Sequence, residues 1–276
     1  MINSIKDCTQ LNNGVTMPWL GFGVFRINDG QDVERAVMYA LETGYRSIDT
    51  ATVYKNERGV GKAIRESGIP REKIFLTTKV WNDDQREMRT LLAFEESLKR
   101  LVTEYVDLYL VHWPVKGFYK KTWQDMEKIY QSGRARAIGV SNFQTHHLED
   151  IMLDCQTTPC VNQIEFHPLL VQPDLLRFCQ SQQIQVEAWS PLIEGQIVVE
   201  PIVQKLAEKY HKTPAQIVLR WDLQHEVVTI PKSTHSNRIA ENAQIFDFEI
   251  SLPDMNLLDE LDEGKRVGPD PDSFDF

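Results

Sequence analysis

Residues 44–80 read GYRSIDTATVYKNERGVGKAIRESGIPREKIFLTTKV, and this stretch decides the fold. It opens with a short β-like run, Tyr45–Thr50, and closes with another, Ile74–Val80. Between them lies an amphipathic segment, Glu57–Ser67, preceded by Asn56 and stopped by Gly68. Apolar residues three or four apart mark the middle as a helix. Two strands joined through a helix run parallel, because only a crossover of that length returns the chain to the same end of the sheet.

The unit repeats in both directions. Further strands are expected at Trp19–Gly23, Tyr105–His112, Ala135–Ser141, Val161–Ile164, Gln185–Ala188 and Val227–Ile230. Helices are expected at Asp32–Glu42, Met88–Arg100, Thr122–Gln131, Thr145–Leu153, Leu175–Gln182, Pro201–Tyr210 and Pro214–Leu223, the last two sharing one wide gap before the final strand. Such alternation predicts an α/β chain, and its length fits a closed (β/α)8 TIM barrel better than a doubly wound sheet. Residues 8–18 read as an N-terminal β-hairpin turning at Asn13-Gly14, placed to plug the N-terminal end of the barrel. No linker divides the chain, so residues 1–276 form one domain with a polar, proline-broken tail over 264–276.

Composition excludes several function classes. The 276 residues carry 30 Lys+Arg against 40 Asp+Glu, a net charge of −10, and no basic stripe long enough to track nucleic-acid phosphates. Hydrophobic residues make up 42%, too apolar for disorder, yet no apolar run is long enough to span a membrane. The N-terminus lacks the apolar core of a signal peptide. Four cysteines without a C-x-x-C pair suit a reducing cytoplasm.

In a barrel of this kind, chemistry collects at the C-terminal ends of the strands. Those ends carry Asp49-Thr50, Lys79, His112, Ser141-Asn142, Gln163 with Glu165, Trp189-Ser190 and Lys232-Ser233. Any one of them alone also suits a helix cap or a loop. Asp49, Lys79 and His112 end successive strands, and Tyr54 follows Asp49 by five residues. A lysine in an apolar strand needs a buried partner, and Asp49 on the neighbouring strand is the obvious one. A cation about 4 Å from a phenol is worth on the order of 4 kcal/mol at intermediate dielectric, so Lys79 is expected to lower the pKa of Tyr54 and make it a general acid. His112 would orient the oxygen that receives the proton. None of these groups supplies electrons, so a redox reading requires a cofactor.

A second group points to a phosphate-bearing ligand. Lys232, Ser233 and Thr234 follow the last strand, and a helix bearing Arg238, Glu241 and Asn242 comes next. Trp189 offers a flat ring for a heterocycle. Dinucleotide, Walker and zinc-protease motifs are absent. His146 and His147 are adjacent, so they are expected to diverge on a helix and to hold no metal. A metal-dependent barrel hydrolase or isomerase using Asp49 and His112 stands as the rival.

The chain resembles the aldo-keto reductases over essentially its whole length, most closely the short microbial members. The resemblance rests on GYRSIDTATVYKNE at 44–57, GVSNF at 139–143, Ile151–Val161 leading into NQIEFHP at 162–168, WSPL at 189–192, and IPKS followed by RIAEN at 238–242. It implies NADPH bound across the barrel mouth and reduction of aldehydes and ketones. It implies Asp49, Tyr54, Lys79 and His112 as the catalytic set, with Tyr54 as proton donor. It implies cofactor contacts from Gly23, Val24, Asp49, Ser141, Asn142, Gln163, Trp189, Ser190, Leu192, Ile230, Lys232, Ser233, Thr234, Arg238, Glu241 and Asn242. The substrate pocket would be lined by Phe25, Tyr54, Trp81, His112, Trp113 and Phe118. The resemblance further implies small dicarbonyl, simple aldehyde or sugar-derived keto substrates, a monomer, and no metal. The loop after His112 and the C-terminal tail are short for the family, so an open pocket is expected. An NADPH-binding redox sensor without turnover is the remaining alternative.

Overall fold

A computed structural model describes residues 2–273. Residues 274–276 of the expected tail lie outside the described residues. Two short antiparallel strands come first, β1 (Cys8–Gln10) and β2 (Thr16–Pro18). Gly14 makes their turn at φ 85°, a left-handed conformation that glycine adopts without steric cost.

Eight parallel strands follow, each paired with the next in chain order. They are β3 (Phe22–Gly23), β4 (Ser47–Asp49), β5 (Phe75–Val80), β6 (Val106–Val111), β7 (Ala135–Ser141), β8 (Val161–Glu165), β9 (Gln185–Trp189) and β10 (Val228–Thr229). First and last meet through a parallel bridge between Leu20 and Thr229. Gly21 N donates to Thr229 O at 2.9 Å, and Thr229 N donates to Trp19 O at 3.1 Å. That seam closes the sheet into the expected barrel.

The outer layer is helical: α1 (Gln31–Thr43), α2 (Glu57–Glu66), α3 (Asn82–Arg86), α4 (Thr90–Leu101), α5 (Tyr119–Gln131), α6 (Thr145–Met152), α7 (Pro173–Ser181), α8 (Pro201–Tyr210), α9 (Pro214–Gln224), α10 (Ser236–Asn242) and α11 (Leu252–Asp259). Helices outside and side chains inside bury β5 and β6 at every residue, and each strand carries a single charged residue, Lys79 and Asp107. The helix expected over Met88–Arg100 is corrected: Met88 takes φ 51°, a short α3 precedes it, and α4 starts at Thr90. Helix α11 was not anticipated; it packs on α8 and buries Met255 and Leu258 in the main apolar core.

The barrel interior changes character along its axis. Its lower layer is apolar: Phe75, Leu108, Leu110, Ala137, Val161 and Val228 cluster with Leu11 and Met17 of the hairpin. Asn12 and Asn13 fasten the hairpin turn to the carbonyls of Pro159 and Arg136 at 3.0 and 2.9 Å. The hairpin therefore seals the N-terminal end, as expected. Strand alternation carries the same face upward, from Phe75 to Thr77 to Lys79, from Leu110 to His112, and from Val161 to Gln163. Apolar side chains fill the closed end, and polar ones crowd the open end.

Candidate active site

Lys79 is completely buried at the top of β5. Its ammonium donates to Asp49 Oδ1 at 2.6 Å and to the Thr50 carbonyl at 2.9 Å. Asp49, at the end of β4, accepts at its other oxygen from Gln163 Nε2 at 2.9 Å. Both carboxylate oxygens are thus engaged by this chain's own side chains. Tyr54 sits on a 3₁₀ turn, Thr52–Tyr54, directly after β4. Thr52 Oγ1 donates to the Lys79 carbonyl at 2.9 Å and pins that turn to β5. The Lys79 ammonium lies 5.1 Å from the Tyr54 ring centroid.

One electrostatic expectation is corrected. Burial pushes the Tyr54 phenol up; the charge and hydrogen bond of Lys79 pull it down, but Asp49 and Glu187 push it up again, and the result is raised rather than lowered. The sequence argument counted the lysine alone. For Lys79, burial favours the neutral amine, but Asp49 and its other neighbours outweigh that and the pKa ends raised. His112 is held well below the ordinary histidine range by burial and then by Lys79, so its imidazole is neutral. Its Nδ1 is buried without a partner, leaving Nε2 as the nitrogen that can serve a ligand.

Aromatic rings surround this cluster. Tyr54 and Trp81 both meet His112 edge-on, at 5.7 and 5.0 Å between centroids, and Phe25 tilts against Tyr54 at 5.0 Å. Trp113 is buried beside His112 in the chain, with its carbonyl accepting from Gln85. Phe118 is half-buried at the start of α5. Phe25 is 49% exposed, the profile of a pocket rim.

The expected cofactor residues form a second connected group. Trp189 Nε1 donates to Asn142 Oδ1 at 2.8 Å, which fixes the indole plane. Asn142 Nδ2 donates to the His112 carbonyl at 3.0 Å and to Ser141 Oγ at 3.1 Å, and Ser141 Oγ donates to the Gln163 carbonyl at 2.9 Å. Asn142 and Ser190 hold left-handed φ angles of 65° and 50°, a cost that proteins tend to carry at functional positions. Glu187, fully buried on β9, accepts from Gln163 Nε2 at 2.7 Å. Sequence reasoning passed over Glu187, although an acid inside an apolar strand is the same signal that singled out Lys79.

At the barrel seam, Val24 N donates to Asp49 O and Gly23 N to Pro231 O. A Cβ on Gly23 would stand 3.0 Å from the Ile230 carbonyl, so glycine lets the strands meet there. Arg26 pairs with Glu194, tying the loop after β3 to the loop that carries Ser190 and Leu192. Lys232 is exposed beside them, its pKa lowered by partial burial and by repulsion from Arg26. Thr234 and Arg238 are also exposed, whereas Ser233 is buried and caps its own loop through His235 N. At this end Asn242 is buried, and Glu241 Oε1 accepts from Thr213 Oγ1 at 2.8 Å.

The donor set suits an extended dinucleotide. A partly exposed, orientation-locked indole stands beside Asn142, and two exposed cations, Lys232 and Arg238, follow the last strand.

The tail is not loose. Both oxygens of buried Glu165 accept from it, from Val267 N at 2.6 Å and from Gly268 N at 3.1 Å. Gly268 presses so closely that a Cβ would come within 2.4 Å of the Trp189 ring. Glu165, expected only as a polar strand end, is the anchor of this strap. Farther on, Asp272 meets His146 Nε2 at 3.2 Å. His146 and His147 do not diverge as expected; their rings lie 4.0 Å apart. Their nitrogens and Asp272 make a His–His–Asp group among the described residues. His147 Nδ1 accepts from Gln144 N at 3.2 Å, so its Nε2 carries the proton and faces Asp272 as a donor. No helix among the described residues is long and apolar enough to cross a membrane.

Comparison with known proteins matches residues 19–263 to the model of the Aldo/keto reductase family. The chain is 55% identical to a glyoxal reductase of Bacillus subtilis over 276 residues, covering 100% of both chains. It is 46% identical to the methylglyoxal reductase DkgA of Escherichia coli over 269 residues, covering 96% of this chain and 97% of the relative. Among solved structures, a Bombyx mori aldo-keto reductase in complex with NADP superposes with a TM-score of 0.89 at 36% identity, covering 99% of this chain and 97% of that one.

Proposed function

The chain belongs to the aldo/keto reductase family, and from that premise we propose that it reduces small dicarbonyls, glyoxal and methylglyoxal foremost, to hydroxy-carbonyls with NADPH. The observation that carries the reading is the buried Lys79–Asp49 pair at 2.6 Å beneath a tyrosine and a neutral histidine. When bound, NADPH supplies the hydride that goes to the carbonyl carbon. Tyr54 gives its hydroxyl proton to the carbonyl oxygen. Its raised pKa keeps the phenol protonated at neutral pH, and the nearby ammonium stabilises the phenolate left behind. Asp49 holds that ammonium in place, and His112 Nε2 donates to the substrate oxygen and orients it. Trp189, Ser141, Asn142 and Gln163 would hold the nicotinamide end. Lys232 and Arg238 would meet the phosphate that distinguishes NADPH from NADH.

A small substrate suits a mouth walled by Phe25, Trp81 and the Gly268 strap. The metal-hydrolase alternative is disfavoured because Asp49 has no oxygen left uncommitted. We further infer a cytoplasmic monomer.

The test is direct. Absorbance of NADPH should fall when methylglyoxal is added. Tyr54→Phe should nearly abolish that turnover while NADPH affinity, read by fluorescence titration, stays within a few-fold. Tyr54→Phe with retained turnover rules Tyr54 out as proton donor. Tight NADPH binding without turnover over a broad carbonyl panel would favour the redox-sensor alternative.

A further inference from the structure

Gln163 stands between two acids. Its Nε2 donates to Asp49 Oδ2 at 2.9 Å and to Glu187 Oε2 at 2.7 Å. A primary amide has two N–H donors on one side and a lone-pair oxygen on the other. Turning it over would set its oxygen against the Asp49 carboxylate, so Asp49 decides which way the amide faces, and Glu187 Oε2 takes its second N–H. We propose that Glu187 is a positioning residue of the site, a neutral carboxylic acid whose carbonyl oxygen accepts the second N–H of Gln163 and so fixes the amide with its oxygen toward the mouth. This rests on the reading of the mouth as an NADPH site, where that oxygen would accept from the nicotinamide carboxamide.

The charge balance of the interior requires the neutral form. Asp49 faces Glu187 across the barrel from β4, and Lys79 from β5. In register, its neighbours are Gln163 on β8 and Val228 on β10, neither of them charged. Tyr54 and His112 stand above, a protonated phenol and a neutral imidazole. Lys79 is already matched by Asp49, so a second buried anion would have no counter-charge. Glu187 Oε1 is buried without a partner, which an ionised oxygen tolerates far less well than a neutral one. In agreement, burial and then Asp49 push Glu187 up to about 8.

The placement also couples Glu187 to the proton donor. Above its ionisation, Glu187 adds a negative charge that makes the Tyr54 phenolate harder to form. Reduction uses the phenol, but alcohol oxidation by NADP+ uses the phenolate as the base. Ionised Glu187 therefore opposes the reverse reaction.

Two variants separate the roles. Glu187→Gln keeps an acceptor for Gln163 but cannot ionise. Its NADPH affinity should stay within about threefold of wild type, and the alkaline limb of alcohol oxidation should move to lower pH. An infrared pH titration of the wild-type protein should show a protonated carboxylic-acid band lost with a midpoint near 8. Glu187→Gln should lack that band, which separates it from other buried acids such as Asp222. Glu187→Leu removes the acceptor and should weaken NADPH binding by about tenfold or more. An unchanged infrared titration in Glu187→Gln, or NADPH binding by folded Glu187→Leu as tight as wild type, overturns the proposal. Failure of wild-type turnover would instead overturn the carbonyl-reductase reading, because the infrared band reads Glu187 without any turnover.

Discussion

Replacing Glu165 with glutamine should release the strap without unfolding the barrel. Glu165 is buried, and its two oxygens accept from Val267 N at 2.6 Å and from Gly268 N at 3.1 Å. Hydrogen bonds to a charged acceptor are worth roughly 1.5–3 kcal/mol, against about 1 kcal/mol for neutral ones. The glutamine oxygen can still serve one of these N–H groups, at a loss of about 1 kcal/mol. Its NH2 then faces the other donor, and leaving that buried N–H unsatisfied costs about 1–3 kcal/mol. The sum, about 2–4 kcal/mol, corresponds to local opening increased by roughly 30- to 1000-fold. Hydrogen exchange resolved by residue reads this at Val267 and Gly268, with Tyr109 of β6 as an internal reference that should not change. The contacts Arg266–Gln172 and Lys265–Leu169 remain, so global stability should fall little. Unaltered exchange at both tail amides would refute the assignment of Glu165 as the anchor.

Two further outcomes follow from buried charge. Lys79→Met should destabilise the fold by about 3–5 kcal/mol in urea titrations, because Asp49 is left buried without its cation. Adding Asp49→Asn should recover much of that loss, and strictly additive effects would show that the pair is not coupled. For His112, the folded pKa lies well below the ordinary value. Below about pH 6.5 the unfolded chain takes up a proton that the folded chain refuses, so stability is lost as pH falls, at up to about 1.4 kcal/mol per pH unit. His112→Gln should flatten that slope in urea midpoints measured at about pH 7 and about pH 5; an equal slope in both proteins would mean that His112 takes up its proton as readily folded as unfolded.

The barrel was legible because its strands are buried on both faces, so β5 and β6 stand out as short runs with one charge each between charge-rich helices. Asp49, Lys79 and His112 were legible for the converse reason: a polar residue at the end of such a run has no packing role to explain it. The strap was not legible, since Glu165 meets Val267 across 102 residues and nothing local announces the pairing. The pairing of His146 with Asp272 is likewise distant in sequence, whereas His147 is turned by its local cap on Gln144 N. The split between α3 and α4 was hidden because Met88 has no sequence mark of a left-handed residue. The direction of the Tyr54 shift was missed because burial of the phenol, its largest cause, is set by packing from several distant strands and loops and leaves no local mark in the sequence.

The seam between Leu20 and Thr229 has a consequence for how the molecule is made. Its two sides are separated by most of the polypeptide, so during synthesis the first barrel strand must wait, bare along one edge, until nearly everything else has left the ribosome. Contacts of such long range form late, and a waiting edge invites pairing with a neighbouring nascent chain. The extreme shortness of β3 and β10, two residues each, leaves little ladder for a stranger to grip.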